Sequence, residues 1–333
     1  MKFLIVGYGS IGRRHFRNLQ ALGEKDILFY RTNRGTVSDE EIKDYPIETD
    51  LEQALAHRPD GAIIANPTAY HLEVANPAVE AGCHILLEKP VSHSMGKVEA
   101  FKDSVIRNHV RVLVGYQYRF HPGLRKVASL IKSRAVGEPL SVHVHWGEYL
   151  PGWHPWEDYK KSYSARADLG GGVVLTLSHP LDYLRWIFGE IESVFGMTSS
   201  NSSLDIDVDD VAEITLKFVN GVIGHVSLDY IQRPPTHNLE IIGTQGTIRW
   251  DNSDGAVHVY SAHGGTNAMW EVYPAPKGFS RNDMFREQMK HFIKVVKGKE
   301  IPLCSLDDGV RALEIALAVH ESTRTQRMVK VII

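Results

Sequence analysis

Lys2-Phe3-Leu4-Ile5-Val6-Gly7-Tyr8-Gly9-Ser10-Ile11-Gly12 opens the chain with an apolar run, three glycines at G-x-G-x-x-G spacing, and the start of an amphipathic segment. The order of these parts decides the fold. The apolar run reads as a strand. Ile11, Phe16, Leu19 and Leu22 then recur at roughly helical spacing, and Gly23 suits the position just past a helix end. In such a strand–turn–helix unit the first glycine permits the tight turn. The second lets backbone approach a pyrophosphate, the third lets helix and strand pack closely, and the helix N-terminus faces the phosphate charge. Gly7, Gly9, Ser10, Ile11 and Gly12 are therefore the expected dinucleotide contacts.

Working outward, the same rhythm continues for about 120 residues. Ile27–Tyr30, Ala62–Ala65, His84–Leu87 and Val110–Val114 are apolar with little alternation, as expected of parallel strands buried on both faces. Helices are predicted over Tyr70–Ala81, which Pro77 should kink or interrupt, and over Ser94–Asn108. The fold class is α/β, with an N-terminal doubly wound parallel sheet.

After Tyr118 the pattern changes. Leu124–Ser133 reads as a helix. Ala212, Ile214, Leu216 and Phe218 then alternate with Glu213, Thr215 and Lys217, and Val222, Val226, Leu228 and Tyr230 continue beyond Asn220-Gly221, a strong two-residue hairpin signal. Asn238–Ile242 and Thr247–Trp250 extend this antiparallel sheet. Two late helices follow near Asn282–Val296 and Leu306–Thr325. The boundary is expected near residues 118–123, at Pro122-Gly123, which gives domains over 1–120 and 121–333.

With 43% hydrophobic and 23% charged residues and a net charge of −3, the chain reads as an ordinary globular protein with no bias towards nucleic acid or an anionic membrane. Cys83 and Cys304 are its only cysteines, too few and too far apart for a disulfide framework or zinc motif. His143 and His145 share a strand face without convergent ligands, so no metal is expected. No signal peptide or membrane-length apolar run is visible, and the expected setting is cytoplasmic.

A dinucleotide site commonly places Asp or Glu about 20 residues beyond the glycines, on the ribose hydroxyls. Here that stretch is Arg31-Thr32-Asn33-Arg34. Two guanidiniums could bind a 2′-phosphate, and Arg31 could also stack on adenine, so NADP(H) is preferred with NAD(H) possible.

Further motifs follow in chain order: Asn66-Pro67 with His71, Glu88-Lys89-Pro90, Gly115-Tyr116-Gln117-Tyr118-Arg119-Phe120-His121-Pro122, and Gly170-Gly171-Gly172 with His179-Pro180-Leu181-Asp182. In this combination the chain resembles the glucose–fructose oxidoreductase, inositol dehydrogenase and rhizopine catabolism (Gfo/Idh/MocA) family over nearly its whole length. The resemblance implies a Rossmann domain followed by an α+β domain with a large open, mainly antiparallel sheet, often used for homodimer or homotetramer contacts. It implies an oxidoreductase moving hydride between nicotinamide and a secondary alcohol or ketone of a sugar, polyol or sugar derivative. Asn66, Pro67, His71, Glu88, Lys89 and Gln117 then join the cofactor set, and Lys89 sits between nicotinamide and substrate. An ammonium there can hold the substrate oxygen and stabilise charge developing on it.

His179 is the candidate acid/base, since an imidazole titrates near neutrality. Pro180 suits the first turn of a helix running to Phe188, and Asp182, three residues on, could orient His179. Many relatives carry an aspartate three or four residues before this histidine, where this chain has Thr176 and Leu175. Asp182 is then the candidate substitute, with Lys89, water or a tyrosine as the alternative proton carriers. Substrate contacts are expected from Lys89, Arg119, Trp153, His154, Arg166 and His179. Trp146, Tyr149, Trp153, Trp156, Tyr159 and Tyr163, with Arg166 and Asp168, form a stretch that suits either a sugar platform or an aromatic packing cluster. The alternatives to a sugar dehydrogenase are a cofactor-sensing protein with weak turnover and a C=C or C=N reductase.

Overall fold

The computed structural model describes residues 1–32, 38–155, 157–262 and 269–331. Two compact units emerge: residues 1–117 with 281–310, and residues 118–280 with 311–333. The expected boundary after residue 120 lies close to the observed break, but the assignment of everything beyond it to one domain does not hold. The stretch Arg281–Val310 returns to the first unit, and the last break falls inside a helix.

The first unit is built on six parallel strands, β1 (Lys2–Val6), β2 (Asp26–Tyr30), β3 (Ile47–Glu48), β4 (Gly61–Ile64), β5 (His84–Leu87) and β6 (Val112–Val114). Their order is β3-β2-β1-β4-β5-β6, the dinucleotide-binding order, in which the chain reverses direction of travel beside β1. Phe3, Leu4, Ile5, Ile63, Ile64, Ile85, Leu86 and Leu87 are fully buried. This is why these strands read as unbroken apolar runs: helices cover both faces, and each such side chain contributes about 1.5–3 kcal/mol by leaving water.

Helices α1 (Ser10–Ala21), α2 (Leu51–Ala56), α3 (His71–Glu80) and α4 (Val98–Arg107) connect the strands. Pro77 lies inside α3 without ending it. α4 starts later than expected, after Gly96, which poorly supports a helical interior.

In the second unit α5 (Pro122–Lys132), with proline in its first turn, is capped by His121, whose Nδ1 accepts the Gly123 N–H at 3.0 Å. Burial pushes the His121 imidazole down to about 4. It therefore stays neutral at ordinary pH, as an accepting Nδ1 requires. Two further helices, α6 (Val173–Thr176) and α7 (His179–Phe188), precede the main sheet, and Gly189 ends α7 at φ +92°.

That sheet has nine strands: β7 (Pro139–Gly147), β8 (Ile191–Ser199), β9 (Val211–Phe218), β10 (Ile223–Asp229), β11 (Thr236–Gly243), β12 (Gly246–Asp251), β13 (Val257–Ser261), β14 (Trp270–Tyr273) and β15 (Val329–Lys330). The order is β14-β13-β12-β11-β7-β10-β9-β8-β15, antiparallel throughout except for the parallel pair β7 and β10. The Asn220-Gly221 hairpin joins β9 and β10 as expected, with Gly221 at φ +89°. Alternation is visible in β9, where Ala212, Ile214, Leu216 and Phe218 are buried while Thr215 and Lys217 face outward. The late helices are α8 (Arg281–Val296), in the first unit, and α9 (Leu306–Thr325).

Candidate active site

In the first unit the three glycines have separate reasons. Gly7 adopts φ +84°, and a Cβ there would come within 2.9 Å of the Ala65 carbonyl. A Cβ on Gly12 would lie 2.0 Å from the Gly7 carbonyl oxygen, so the turn itself demands glycine. A Cβ on Gly9, by contrast, would meet nothing within 4 Å. The protein's own packing does not require glycine there. Gly9 is also the N-cap of α1, and no side chain caps that helix start. Bare backbone facing open space at a helix N-terminus fits a bound pyrophosphate, so the residues present suit a dinucleotide.

At the end of β2, Arg31 is 6% exposed and lies over the Tyr8 ring at 5.5 Å. It is also ion-paired with Asp39. The Tyr8 hydroxyl donates to Glu41 at 3.1 Å, and Arg17 holds the same carboxylate at 2.6 and 2.9 Å. Asp39 thus reaches, from eight residues further along, the guanidinium expected to take a 2′-phosphate. Arg34 lies outside the described residues, as does Trp156.

Glu88, Lys89 and Pro90 follow β5, with a cis peptide before Pro90. Lys89 thus leaves the carboxyl edge of the parallel sheet, the same edge as the glycine turn after β1. Glu88 turns inward. Its carboxylate lies 2.7 Å from His15 Nε2 and packs so closely against Gly115 that a Cβ there would stand 2.9 Å from Oε2. Burial alone would raise this carboxyl. The His15 hydrogen bond and the neighbouring charges of His15 and Lys89 outweigh it and hold the group below the usual carboxylate range.

His71 is 1% exposed. Its Nδ1 lies 2.9 Å from the Pro90 carbonyl and its Nε2 3.0 Å from that of Asn66, so the ring sits between the turns after β4 and β5 and, when neutral, donates to one carbonyl or the other according to its tautomer. Burial pushes its imidazole pKa down against those two carbonyls. Both Glu88 and His71 were expected at the cofactor. The structure makes them braces behind the Asn66-Pro67 and Lys89-Pro90 turns. Gln117, also 3% exposed, closes this unit.

In the second unit His179 begins α7 and is 2% exposed. Trp146 stacks on its ring at 5.5 Å, and Tyr118 meets it edge-on at 5.0 Å. Asp182, expected to orient it, presents both carboxylate oxygens to Arg119, with bonds of 2.7, 3.0 and 3.2 Å in a fully enclosed setting. Arg119, expected to contact substrate, is the cation of this buried pair. Thr176, where relatives carry aspartate, is 3% exposed.

Of the other expected substrate residues, Trp153 is half-buried with its ring edge-on to Tyr230 at 5.6 Å, and His154 is half-buried beside it. Arg166 forks onto its neighbour Asp168 at 2.9 and 2.5 Å, near the surface. The reading of the residues passed over His237, which is 5% exposed on β11 within the His179 neighbourhood. A signal was present: His237 is in phase with buried Leu239 and Ile241 in an alternating strand. Among the described residues no set of His, Cys, Asp and Glu is arranged to hold a metal ion, and no helix is long and apolar enough to cross a membrane.

A doubly wound six-stranded sheet with a G-x-G-x-x-G turn and a lysine at its carboxyl edge, joined to a large mostly antiparallel sheet, defines an NAD(P)-dependent oxidoreductase acting on CH–OH groups. Residues 1–116 match the NAD-binding Rossmann fold of the oxidoreductase family, and residues 124–249 match the GFO/IDH/MocA C-terminal domain. The chain belongs to the Gfo/Idh/MocA family. It is 26% identical to myo-inositol 2-dehydrogenase of Thermotoga maritima, over 99% of this chain and 98% of that one. It is 25% identical to glucose-6-phosphate 3-dehydrogenase of Bacillus subtilis, over 94% of each. Levoglucosan dehydrogenase, solved with NADH and levoglucosan, has the same fold, with a TM-score of 0.89 at 20% identity over 99% of both chains.

Proposed function

We propose that the protein is a dehydrogenase for a sugar, polyol or sugar derivative, acting at a secondary alcohol or ketone. The observation that carries this reading is the position of Lys89, two residues past β5 on the sheet edge that also bears the bare glycine turn. The names of its relatives support the substrate class: myo-inositol, glucose 6-phosphate and levoglucosan all offer ring hydroxyls.

When bound, the nicotinamide supplies the hydride acceptor or donor. Lys89 holds the substrate oxygen and stabilises the negative charge that grows on it. His71 and Glu88 act behind it, fixing the turn from which Lys89 projects. His179 exchanges the hydroxyl proton at a ring nitrogen, in the aromatic setting that Trp146 and Tyr118 provide. Trp153 and His154 offer the substrate an apolar face and a polar group.

Cofactor choice turns on Arg31 and Asp39. Arg31 attracts a 2′-phosphate, and Asp39 competes for the same guanidinium. NADP(H) is therefore preferred only modestly, by about tenfold or ~1.4 kcal/mol. A second copy of the chain is the proposed cover for the outward face of the nine-stranded sheet, where Met197, Ile223 and Ile242 stand exposed.

The test is a screen of myo-inositol, levoglucosan, glucose 6-phosphate and D-xylose with NAD⁺ and NADP⁺, followed by nicotinamide absorbance. Turnover on at least one is expected, with Lys89→Met lowering kcat about a thousandfold while cofactor binding persists. Tight cofactor binding with no hydride transfer to any of them would favour a cofactor-sensing protein instead.

A further inference from the structure

The interior of the second unit contains a polar chain that the reaction described above does not use. His237 on β11 stands directly opposite Trp146 on β7 in the strand register. The two rings stack with centroids 4.3 Å apart and planes 3° apart. At the imidazole edges, Nδ1 lies 3.2 Å from the Tyr118 hydroxyl and Nε2 lies 3.1 Å from the Tyr183 hydroxyl. Trp250 meets the ring edge-on at 5.0 Å. All five side chains are buried.

His237 thereby holds two aromatic groups that pack on His179. It stacks on Trp146, which stacks on His179, and it hydrogen-bonds Tyr118, which meets His179 edge-on. Tyr183 is four residues after His179, on the same face of α7. The arrangement is closed: helix α7 supplies the histidine and one end of the chain, and β11 supplies the centre.

We propose that His237 is a positioning residue for His179, acting through a directional hydrogen-bond chain of Tyr183, His237 and Tyr118. The proposal rests on His179 as the proton-exchanging group. A neutral imidazole has one N–H and one lone pair, so both contacts are made only if the chain runs one way. Either Tyr183 donates to Nε2 and Nδ1–H donates to Tyr118, or Tyr118 donates to Nδ1 and Nε2–H donates to Tyr183. In the first case Tyr118 keeps its own proton for a further acceptor; in the second its oxygen can only accept. The chain thus sets both the orientation and the hydrogen-bonding character of the hydroxyl beside His179. Charged and titratable groups against these rings include Arg119, paired with Asp182, His121, stacked beside Tyr118 at 6.2 Å, and Glu148, which accepts the Trp146 Nε1–H at 2.9 Å.

The experiment uses the full chain with ¹⁵N-labelled histidine, read by long-range proton–nitrogen correlation, with His179 and His237 assigned from His179→Gln and His237→Gln. Tyr183→Phe removes one hydroxyl and keeps the ring. It is expected to move the nitrogen shifts of His237 and also those of His179, and to displace the His179 titration midpoint. If the His237 signals move while those of His179 stay in place through the whole titration, the proposal is wrong. On any substrate that the screen identifies, His237→Phe is expected to lower kcat about tenfold or more with KM within about twofold, and to shift the acidic limb of the pH profile. A lower melting temperature with unchanged kcat per folded molecule would also overturn it. Failure of the screen would strike the dehydrogenase reading alone, since the nitrogen shifts need no substrate.

Discussion

Arg119 and Asp182, 63 residues apart in sequence, bind each other through three hydrogen bonds with side chains only 3% and 1% exposed. A carboxylate so placed stabilises the fold by satisfying a buried guanidinium. Removing one partner of such a pair leaves an uncompensated buried charge and costs about 3–5 kcal/mol. Asp182→Asn is therefore expected to lower the melting temperature by on the order of 10 °C. Replacing both residues with apolar side chains of similar volume should recover much of that loss. Wild-type melting of Asp182→Asn with collapsed turnover would instead return Asp182 to the role of orienting His179.

The Glu88 carboxyl gives a pH signature. Its folded pKa lies below the ordinary carboxylate value, held there by His15 against the effect of burial. A depressed pKa means that the unfolded chain binds more protons in acid. The contribution is complete above the unfolded value and is lost as pH falls through the folded one. Melting temperature should fall as pH drops below about 5. Glu88→Gln should melt lower than wild type at pH 7 and show a shallower acid slope. Parallel slopes for the two proteins would show that this pair does not set the acid limb.

What could be read from the sequence, and what could not, divides by the range of the interactions. The glycine turn, the apolar strands and the Asn220-Gly221 hairpin are dictated by neighbours within a dozen residues, so their spacing carried the information. The helix from His179 to Phe188 was readable for the same reason, with Pro180 at its start and Gly189 at its end. The partners of site residues were not readable. Asp182 meets Arg119, Glu88 meets His15 across 73 residues, and His237 meets Tyr118 across 119. No local pattern selects one of 17 histidines for such a contact. His71 and Glu88 were legible as motif residues, but their buried partners were not. Their motifs lie at the carboxyl edge of the parallel sheet, and the side chains turn inward onto the backbone and His15 behind that edge.

Asp39 should act as a brake on binding of the phosphorylated cofactor. Its carboxylate occupies the Arg31 guanidinium that would take a 2′-phosphate, and it would repel that phosphate as well. Asp39→Asn is expected to tighten NADPH by about tenfold while changing NADH by less than about threefold, measured by quenching of protein fluorescence. Arg31→Ala should do the reverse and weaken NADPH more than NADH. Equal changes for both cofactors in both variants would remove Arg31 and Asp39 from the question of selectivity.

Gly9 and Gly12 separate the needs of the fold from those of the ligand. A methyl on Gly12 would stand 2.0 Å from the Gly7 carbonyl oxygen, within a turn already fixed by Gly7 at φ +84°. Backbone cannot yield that far without breaking the packing of α1 on β1, so Gly12→Ala should melt well below wild type, by several kcal/mol of stability. A methyl on Gly9 meets no protein atom, and Gly9 has an ordinary extended backbone, with φ −81° and ψ −166°. Gly9→Ala should therefore keep its melting temperature, within about 1 kcal/mol of wild type. The same methyl would fill the space that a pyrophosphate needs, so NADH binding should weaken about tenfold or more. Paired melting curves and NADH titrations of the two variants check both halves. A Gly9→Ala protein that binds NADH like wild type would mean that the dinucleotide does not use this turn, and the cofactor assignment would fall with it.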